Sequence, residues 1–209
     1  LFFLAWGANL SVHASKNEPL VVTETGDGFI ISASGKSAPL FGDDSDYPGV
    51  IRALQDLQTD IGKVTDVKPA LHTGKIPRSK TLIIAGTIGK SSIMDQLIQS
   101  GKINVDQVKG QWETFQIQVV SKPFPGVKEA LVIAGSDKRG TIYGIYEVSS
   151  KIGVSPWYWW ADVPVEHKNA LIVNRKTCIQ EPPSVKYRGI FLNDEYPNLT
   201  LWIQDKFGM

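Results

Sequence analysis

Short apolar runs alternate along this chain with segments whose apolar residues recur at helical spacing. Residues 81–85 and 130–134 form strand-like apolar runs, and each is followed directly by a glycine. Residues 50–64 place Val, Ile and Leu on one face of a helix, and residues 138–152 predict another helix. Alternating strands and helices favour a layered α/β domain in which helices pack on a mixed sheet.

Three local signals refine this fold class. Residues 19–24 and 29–34 are β-rich runs separated by Gly26-Asp27-Gly28, which predicts a hairpin. The acidic residues of segment 43–46 are candidate N-caps for the helix that follows, with Pro48 at its first position. Gly140 and Gly144 lie four residues apart on the predicted third helix, where we expect them to permit close packing on the sheet.

Composition and motifs exclude several classes of function. Twenty-two basic and 21 acidic residues without a basic run give no footprint for nucleic acid or an anionic membrane. The loop Gly86–Ser91 lacks the glycine spacing of a phosphate-binding loop. No Gly-x-Ser-x-Gly motif is present, and no histidine pair has zinc-ligand spacing. We therefore expect no cofactor and no metal, and we expect the single cysteine, Cys178, to be a buried packing residue.

The first residues differ from the rest of the chain. Residues 1–8 are almost wholly apolar, and Val12-His13-Ala14 places small residues where a signal peptidase would cut. We interpret residues 1–14 as the remnant of a signal peptide, which predicts a secreted or periplasmic protein. The stretch is too short to span a membrane. A buried N-terminal strand is the alternative interpretation.

Two clusters are candidates for substrate binding. Trp157-Tyr158-Trp159-Trp160 is the densest aromatic feature, and its rings could either pack in a core or stack on sugar rings. Asn193-Asp194-Glu195 follows the strand-like run 187–192. Carboxylates at a strand end suit the active site of a (β/α)₈ barrel, although they could also form a solvated turn that caps the next helix. We take Trp159, Trp160, Asn193, Asp194 and Glu195 as the candidate substrate-binding residues.

Five stretches together resemble glycoside hydrolase family 115. The resemblance runs from about residue 29 to the end of the chain, and it is carried by Asp46–Ala53, Ala85–Ser91, Ala134–Gly144, Gly153–Pro164 and Lys186–Glu195. It implies an α-glucuronidase that removes glucuronic acid or its 4-O-methyl ether from glucuronoxylan or derived oligosaccharides. It also implies an inverting acid/base mechanism without a cofactor.

The resemblance further implies how the chain is organised. Residues 15–180 would form the N-terminal α/β accessory domain, and residues 181–209 would begin a truncated (β/α)₈ barrel with its first βα unit. Tyr187–Leu192 would be the first barrel strand, so that Asn193–Glu195 project into the substrate cleft. The family's principal catalytic residues lie on later strands, so we assign no catalytic residue here and expect this fragment alone to be inactive. C-terminal domains in the family can support a homodimer.

Two alternatives remain open at this point. One is a noncatalytic carbohydrate-binding or interaction module, which the aromatic cluster would suit. The other is a different exo-glycosidase that has an α/β domain ahead of its barrel. Arg139 and Arg188 are candidates for binding a glucuronate carboxylate on charge alone.

Overall fold

The structure is a computed structural model, and it describes residues 18–189, 191 and 198–208. Within these ranges the strands are β1 (Val22–Thr23), β2 (Phe29–Ala33), β3 (Lys36–Ser37), β4 (Leu40–Gly42), β5 (Leu71–Thr73), β6 (Thr81–Thr87), β7 (Phe115–Ser121), β8 (Glu129–Gly135), β9 (Ala170–Val173) and β10 (Cys178–Gln180). The helices of the described residues are α1 (Pro48–Thr65), α2 (Ser92–Gln99), α3 (Lys138–Ile152), α4 (Tyr158–Ala161) and α5 (Asn198–Phe207). The signal-peptide prediction lies outside the described residues.

The larger sheet is mixed and has the strand order β10-β7-β8-β6-β4-β5. Strands β5, β4, β6 and β8 run parallel, while β7 pairs antiparallel with both β8 and β10. The prediction of a mixed sheet in an α/β domain is therefore confirmed.

Both faces of the larger sheet are buried, which explains why its central strands are continuous apolar runs. Ile83 of β6 packs in the core that includes α1 and α3, while its neighbour Ile84 packs with Met94 and Leu97 of α2 on the opposite face. Successive side chains of a strand point to opposite faces, so an apolar residue is needed at every position. Each large buried side chain contributes about 1.5–3 kcal/mol of hydrophobic free energy.

The smaller sheet contradicts the predicted hairpin. Its strand order is β1-β9-β2-β3, so β9 lies between the two runs that were expected to pair with each other. Val173 of β9 is opposite both Val22 and Phe29. Leu171 and Val173 are fully buried, and placing β9 in the middle lets these two side chains join the core from a central strand.

The acidic segment before α1 does not cap that helix as predicted. Pro48 is the first residue of α1, as expected, but the N-cap is Tyr47 and it makes no side-chain capping bond. Asp43 and Asp46 instead accept hydrogen bonds from the chain around α2 and the end of β6. Helix α1 forms without a side-chain cap because Pro48 is preorganised for the first turn and one face of the helix is buried.

The packing role of the two helical glycines is confirmed. A β-carbon on Gly144 would lie 2.7 Å from Ile133 Cγ2 on β8, and one on Gly140 would lie 2.3 Å from the Thr114 carbonyl oxygen. Both distances are too short for real atoms, so α3 could not lie this close to the sheet with alanine at either position. Cys178 is also buried, as predicted.

The C-terminal part of the chain agrees with the sequence only in part. Helix α5, Asn198–Phe207, agrees with the helix of the predicted first βα unit within residues 181–209. Residues 185–189, however, form no strand and are exposed, so the first barrel strand predicted over 187–192 is not seen in the part of it that the structure describes. A strand needs hydrogen-bonding neighbours, and no described strand lies beside this segment to supply them. The domain boundaries at residues 14/15 and 180/181 stay predictions.

Candidate functional site

The N-terminus of α2 binds a carboxylate of the protein itself. Asp43 Oδ2 accepts hydrogen bonds from the Ser92 hydroxyl at 2.5 Å and from the Ile93 backbone N–H at 3.0 Å. Its other oxygen accepts from the Ser45 backbone N–H at 2.9 Å. Free N–H groups at a helix N-terminus attract anions, and here Asp43 supplies that anion. The loop Gly86–Ser91 thus leads into a helix terminus whose donors already have a partner.

The electrostatics of Asp43 follow from these contacts. Burial alone would raise the pKa of Asp43, but the hydrogen bonds from Ser92, Ser45 and Ile93 hold it well below its usual range. Asp46 completes the arrangement, since its Oδ2 atom accepts from the Thr87 backbone N–H at 2.7 Å. The two carboxylates join the loop after β4 to the loop after β6.

Glu113 is the centre of a second polar cluster, which lies where β7 begins. Its backbone has a φ of 52° and its side chain is almost wholly buried. Arg139 Nη1 on α3 donates to Glu113 Oε1 at 2.6 Å, and Arg188 Nη2 donates to Glu113 Oε2. The Glu113 backbone N–H donates to Asp137, the N-cap of α3, at 2.8 Å. Glu113 therefore connects α3 to the segment that follows β10.

Arg188 is held by more than this ion pair. Its guanidinium lies over the Trp112 ring, 5.7 Å from the ring centre, and its Nη1 atom donates to the Val185 carbonyl oxygen. The hydrogen bond to Glu113 raises the pKa of Arg188. Arg139 and Arg188 were both candidates for binding a glucuronate carboxylate. In the structure, both bind the carboxylate of Glu113.

The structure describes only part of the predicted site. Asn193, Asp194 and Glu195 lie outside the described residues, although Arg188 is positioned shortly before them in the chain. The backbone of Trp159 and Trp160 lies in the short helix α4, and their side chains are also outside the description. Trp157 next to them is 60% exposed. The assignment of these five residues to substrate binding stays a prediction.

A groove between α1 and α3 is the site that the sequence did not indicate. We call it the α1–α3 groove; it has a volume of about 470 Å³, and its wall includes Arg52, Asp56, Asp60, Lys63, Tyr146, Ser149, Val154, Pro156 and Tyr158. Asp56 and Asp60 lie one helical turn apart on α1. Tyr146 and Ser149 lie three residues apart on α3. These spacings place each pair on one helix face, but only the packing of the two helices brings the pairs together.

The polar groups of the α1–α3 groove are partly desolvated. The Tyr146 hydroxyl donates to Asp56 Oδ2 at 2.8 Å, and burial with this contact raises the pKa of Tyr146 to about 12. Burial also raises the pKa of Asp60. Ser149 is 4% exposed and lies beside Asp60, where hydrogen bonding from Ser149 and the charge of Lys63 partly offset the effect of burial on the pKa of Asp60.

The described residues contain neither a metal-binding cluster nor a helix that could span a membrane. No group of three His, Cys, Asp or Glu side chains is placed to bind an ion within these ranges. None of the helices in this part of the chain combines the length and the apolar character needed to cross a bilayer.

Comparison with known proteins relates both the fold and the C-terminal segment to one enzyme family. Residues 180–209 match the family model of Glycosyl hydrolase family 115. The solved structure of a family GH115 4-O-methyl-α-glucuronidase, with specificity for decorated arabinogalactans, aligns with 86% of this chain at 34% sequence identity and a TM-score of 0.65. The alignment covers 22% of that enzyme's chain. No curated protein matches the sequence significantly.

The mixed α/β fold and the matched C-terminal segment define the class of this chain as a domain related to glycoside hydrolases. The segment 180–209 and the alignment over most of the chain both relate it to glycoside hydrolase family 115. The resemblance that the sequence motifs indicated is therefore confirmed. The chain spans about a fifth of the length of the solved relative.

Proposed function

We propose that this chain is the N-terminal part of a secreted α-glucuronidase that removes glucuronic acid or 4-O-methylglucuronic acid from plant polysaccharides. The observation that supports the proposal most is the alignment at 34% identity with a 4-O-methyl-α-glucuronidase over 86% of the chain. Glucuronoxylan is the first expected substrate. The relative's specificity for decorated arabinogalactans makes a uronate-bearing arabinogalactan the second.

The proposed chemistry is acid/base hydrolysis with inversion. A carboxylic acid protonates the leaving oxygen while a separate carboxylate activates water on the opposite face of the sugar. We assign both groups to parts of the protein beyond this chain. Asn193, Asp194 and Glu195 would bind sugar hydroxyls or help to position the water, and Trp159 and Trp160 would contribute aromatic contacts at the edge of the cleft.

The Glu113 cluster gives the α/β domain a role in this proposal. Arg188 is five residues before Asn193, and its contacts with Glu113 and Trp112 fix the chain just ahead of the proposed substrate-binding residues. Catalytic and binding groups must be held within about 0.5 Å of their working positions. The domain would thus act as a support that positions Asn193–Glu195.

The mechanism is tested by following the anomeric form of the released sugar. The full-length gene product would be mixed with 4-O-methylglucuronoxylan oligosaccharides, and the first product observed by proton NMR. Inversion predicts the β-anomer first, whereas initial release of the α-anomer would rule out the proposed mechanism. The chain of 209 residues, run in parallel, is expected to release nothing, because the proposal assigns both the acid and the base to other parts of the protein.

A variant series tests the assigned residues in the same full-length protein. Asp194→Asn and Glu195→Gln are each expected to reduce kcat/KM by at least about tenfold, the loss expected for a charged hydrogen bond to substrate. Asp106→Asn is the matched control, since Asp106 is an exposed acid in the loop after α2. Full activity in both Asp194→Asn and Glu195→Gln would show that neither residue contributes to substrate binding.

A further inference from the structure

The α1–α3 groove has the size and the lining of a ligand site. Its volume of about 470 Å³ lies within the range of about 300–1,000 Å³ that is usual for small-molecule sites. Apolar surface comes from Val154 and Pro156, while aromatic rings come from Tyr146 and Tyr158. Such a mixture of ring faces and a few fixed polar groups is typical of pockets that recognise a ring-shaped, polar ligand.

The charges of the groove are balanced. Asp56 and Asp60 contribute two negative charges, and Arg52 and Lys63 contribute two positive charges on the same wall. Arg52 Nε lies 3.2 Å from Asp56, and Lys63 Nζ lies 3.9 Å from Asp60 and 4.0 Å from the centre of the Tyr158 ring. A ligand with a net charge of either sign would therefore gain little overall.

The hydrogen-bonding groups of the groove complement hydroxyl groups. Carboxylates only accept hydrogen bonds, and ammonium and guanidinium groups only donate them, whereas a sugar hydroxyl does both. Asp60 and Ser149 are largely buried, with the Asp60 side chain 13% exposed and Ser149 4% exposed. The Ser149 side chain lies beside Asp60 and affects that carboxyl as a hydrogen-bond donor.

We infer that the α1–α3 groove binds neutral sugar residues of a polysaccharide chain, with Asp60 and Asp56 as the acceptors of sugar hydroxyls and Tyr158 as the aromatic contact. The inference rests on the proposed function for the kind of polymer that the protein meets. The groove favours the unsubstituted backbone over the uronic acid branch, because its balanced charge gives a carboxylate no attraction. Arg52 and Lys63 at the rim would donate to the same hydroxyls.

Binding to the purified chain tests this inference directly. The probes are an unbranched xylo-oligosaccharide, a β-1,3-linked galacto-oligosaccharide and free glucuronic acid, each titrated into the isotope-labelled chain and followed by amide NMR shifts. We expect a neutral oligosaccharide to shift amides of α1, α3 and residues 154–158. The sugar that binds also identifies the backbone type. Absence of shifts with both neutral probes, or tighter binding of glucuronic acid, would overturn the inference.

Two variants and a control locate the site. Asp60→Asn is expected to weaken binding about tenfold or more, since one charged acceptor is lost. Ser149→Ala removes the hydroxyl beside Asp60 and is expected to weaken binding to a smaller degree, while Asp106→Asn should bind as the wild type does. Equal affinity in Asp60→Asn and the wild type would place the ligand elsewhere. Binding to the groove is measured without hydrolysis, so a failure to bind would not count against the release of glucuronic acid by the full-length protein. A failure to release glucuronic acid would likewise not count against sugar binding in the groove.

Discussion

The carboxylate of Glu113 holds the guanidinium of Arg188, which lies 75 residues further along the chain. The same carboxylate holds Arg139 at 2.6 Å, so one buried acid joins the start of β7, helix α3 and the segment after β10. This contact helps to join the α/β domain to the segment that leads to Asn193.

Removing this acid is expected to release the C-terminal segment. Glu113→Ala should lower the free energy of unfolding by about 1–3 kcal/mol and should speed proteolysis between residues 181 and 191, because Arg188 loses its buried partner. Chemical denaturation and limited proteolysis with mass spectrometry measure the two effects. Arg52→Ala is the control, since its exposed pair with Asp56 should be worth less than about 1 kcal/mol. Unchanged cleavage in Glu113→Ala would show that the cluster does not hold the segment.

Asp43 is expected to stabilise the protein in a pH-dependent way. Its pKa in the folded protein is lowered, so its contribution is present above the unfolded pKa of about 3.9 and is lost as the pH falls towards the folded value. Asp43→Asn should therefore destabilise the protein by about 1.5–3 kcal/mol at neutral pH and by less near pH 3. Thermal unfolding across this pH range measures the difference. A penalty that does not change with pH would mean that the charge of Asp43 is unimportant.

Asp60 is expected to behave in the opposite way. Burial raises the pKa of Asp60 in the folded protein, so ionisation of this carboxyl opposes folding. The resulting loss of stability develops as the pH rises from the pKa of the unfolded state through the higher pKa of the folded state. Asp60→Asn should therefore raise the melting temperature at pH 7 while weakening sugar binding. A lower melting temperature at pH 7 than in the wild type would contradict this account of Asp60. Melting curves at pH 4 and pH 7 supply the comparison.

Helix α3 should not tolerate side chains at its contact with the sheet. Gly144→Ala is expected to cost about 1–3 kcal/mol, because its β-carbon would overlap Ile133. Gly49→Ala in the first turn of α1 is the matched control. Its β-carbon would meet Ile142 at 3.4 Å, an ordinary contact, and alanine favours the helix, so we expect little change or a small gain. Equal effects of the two substitutions in urea unfolding would refute the packing argument.

The sequence predicts elements well where a local pattern determines them. Helix α3 forms over residues 138–152 as its spacing indicates, and β6 and β8 coincide with the two apolar runs. The hairpin prediction is wrong because strand pairing depends on β9, which is more than a hundred residues from β1 in the chain and carries the buried Leu171 and Val173.

Long-range partners also explain what the sequence could not indicate about the sites. Asp43 has the features of a local helix cap, yet its partners Ser92 and Ile93 lie on another helix. Asp60 and Ser149 are ordinary helical residues until α1 packs against α3, and no motif joins them. Arg139 and Arg188 were noted for their charge, but their common partner Glu113 becomes evident only in the folded chain.

The most direct test of the central claim is the release of uronic acid by the full-length protein. Free glucuronic acid and its 4-O-methyl ether would be quantified by ion chromatography after incubation with glucuronoxylan and with uronate-decorated arabinogalactan. The proposed relationship to α-glucuronidases predicts release from at least one of the two polymers. No release from either polymer by the folded, full-length protein would contradict it.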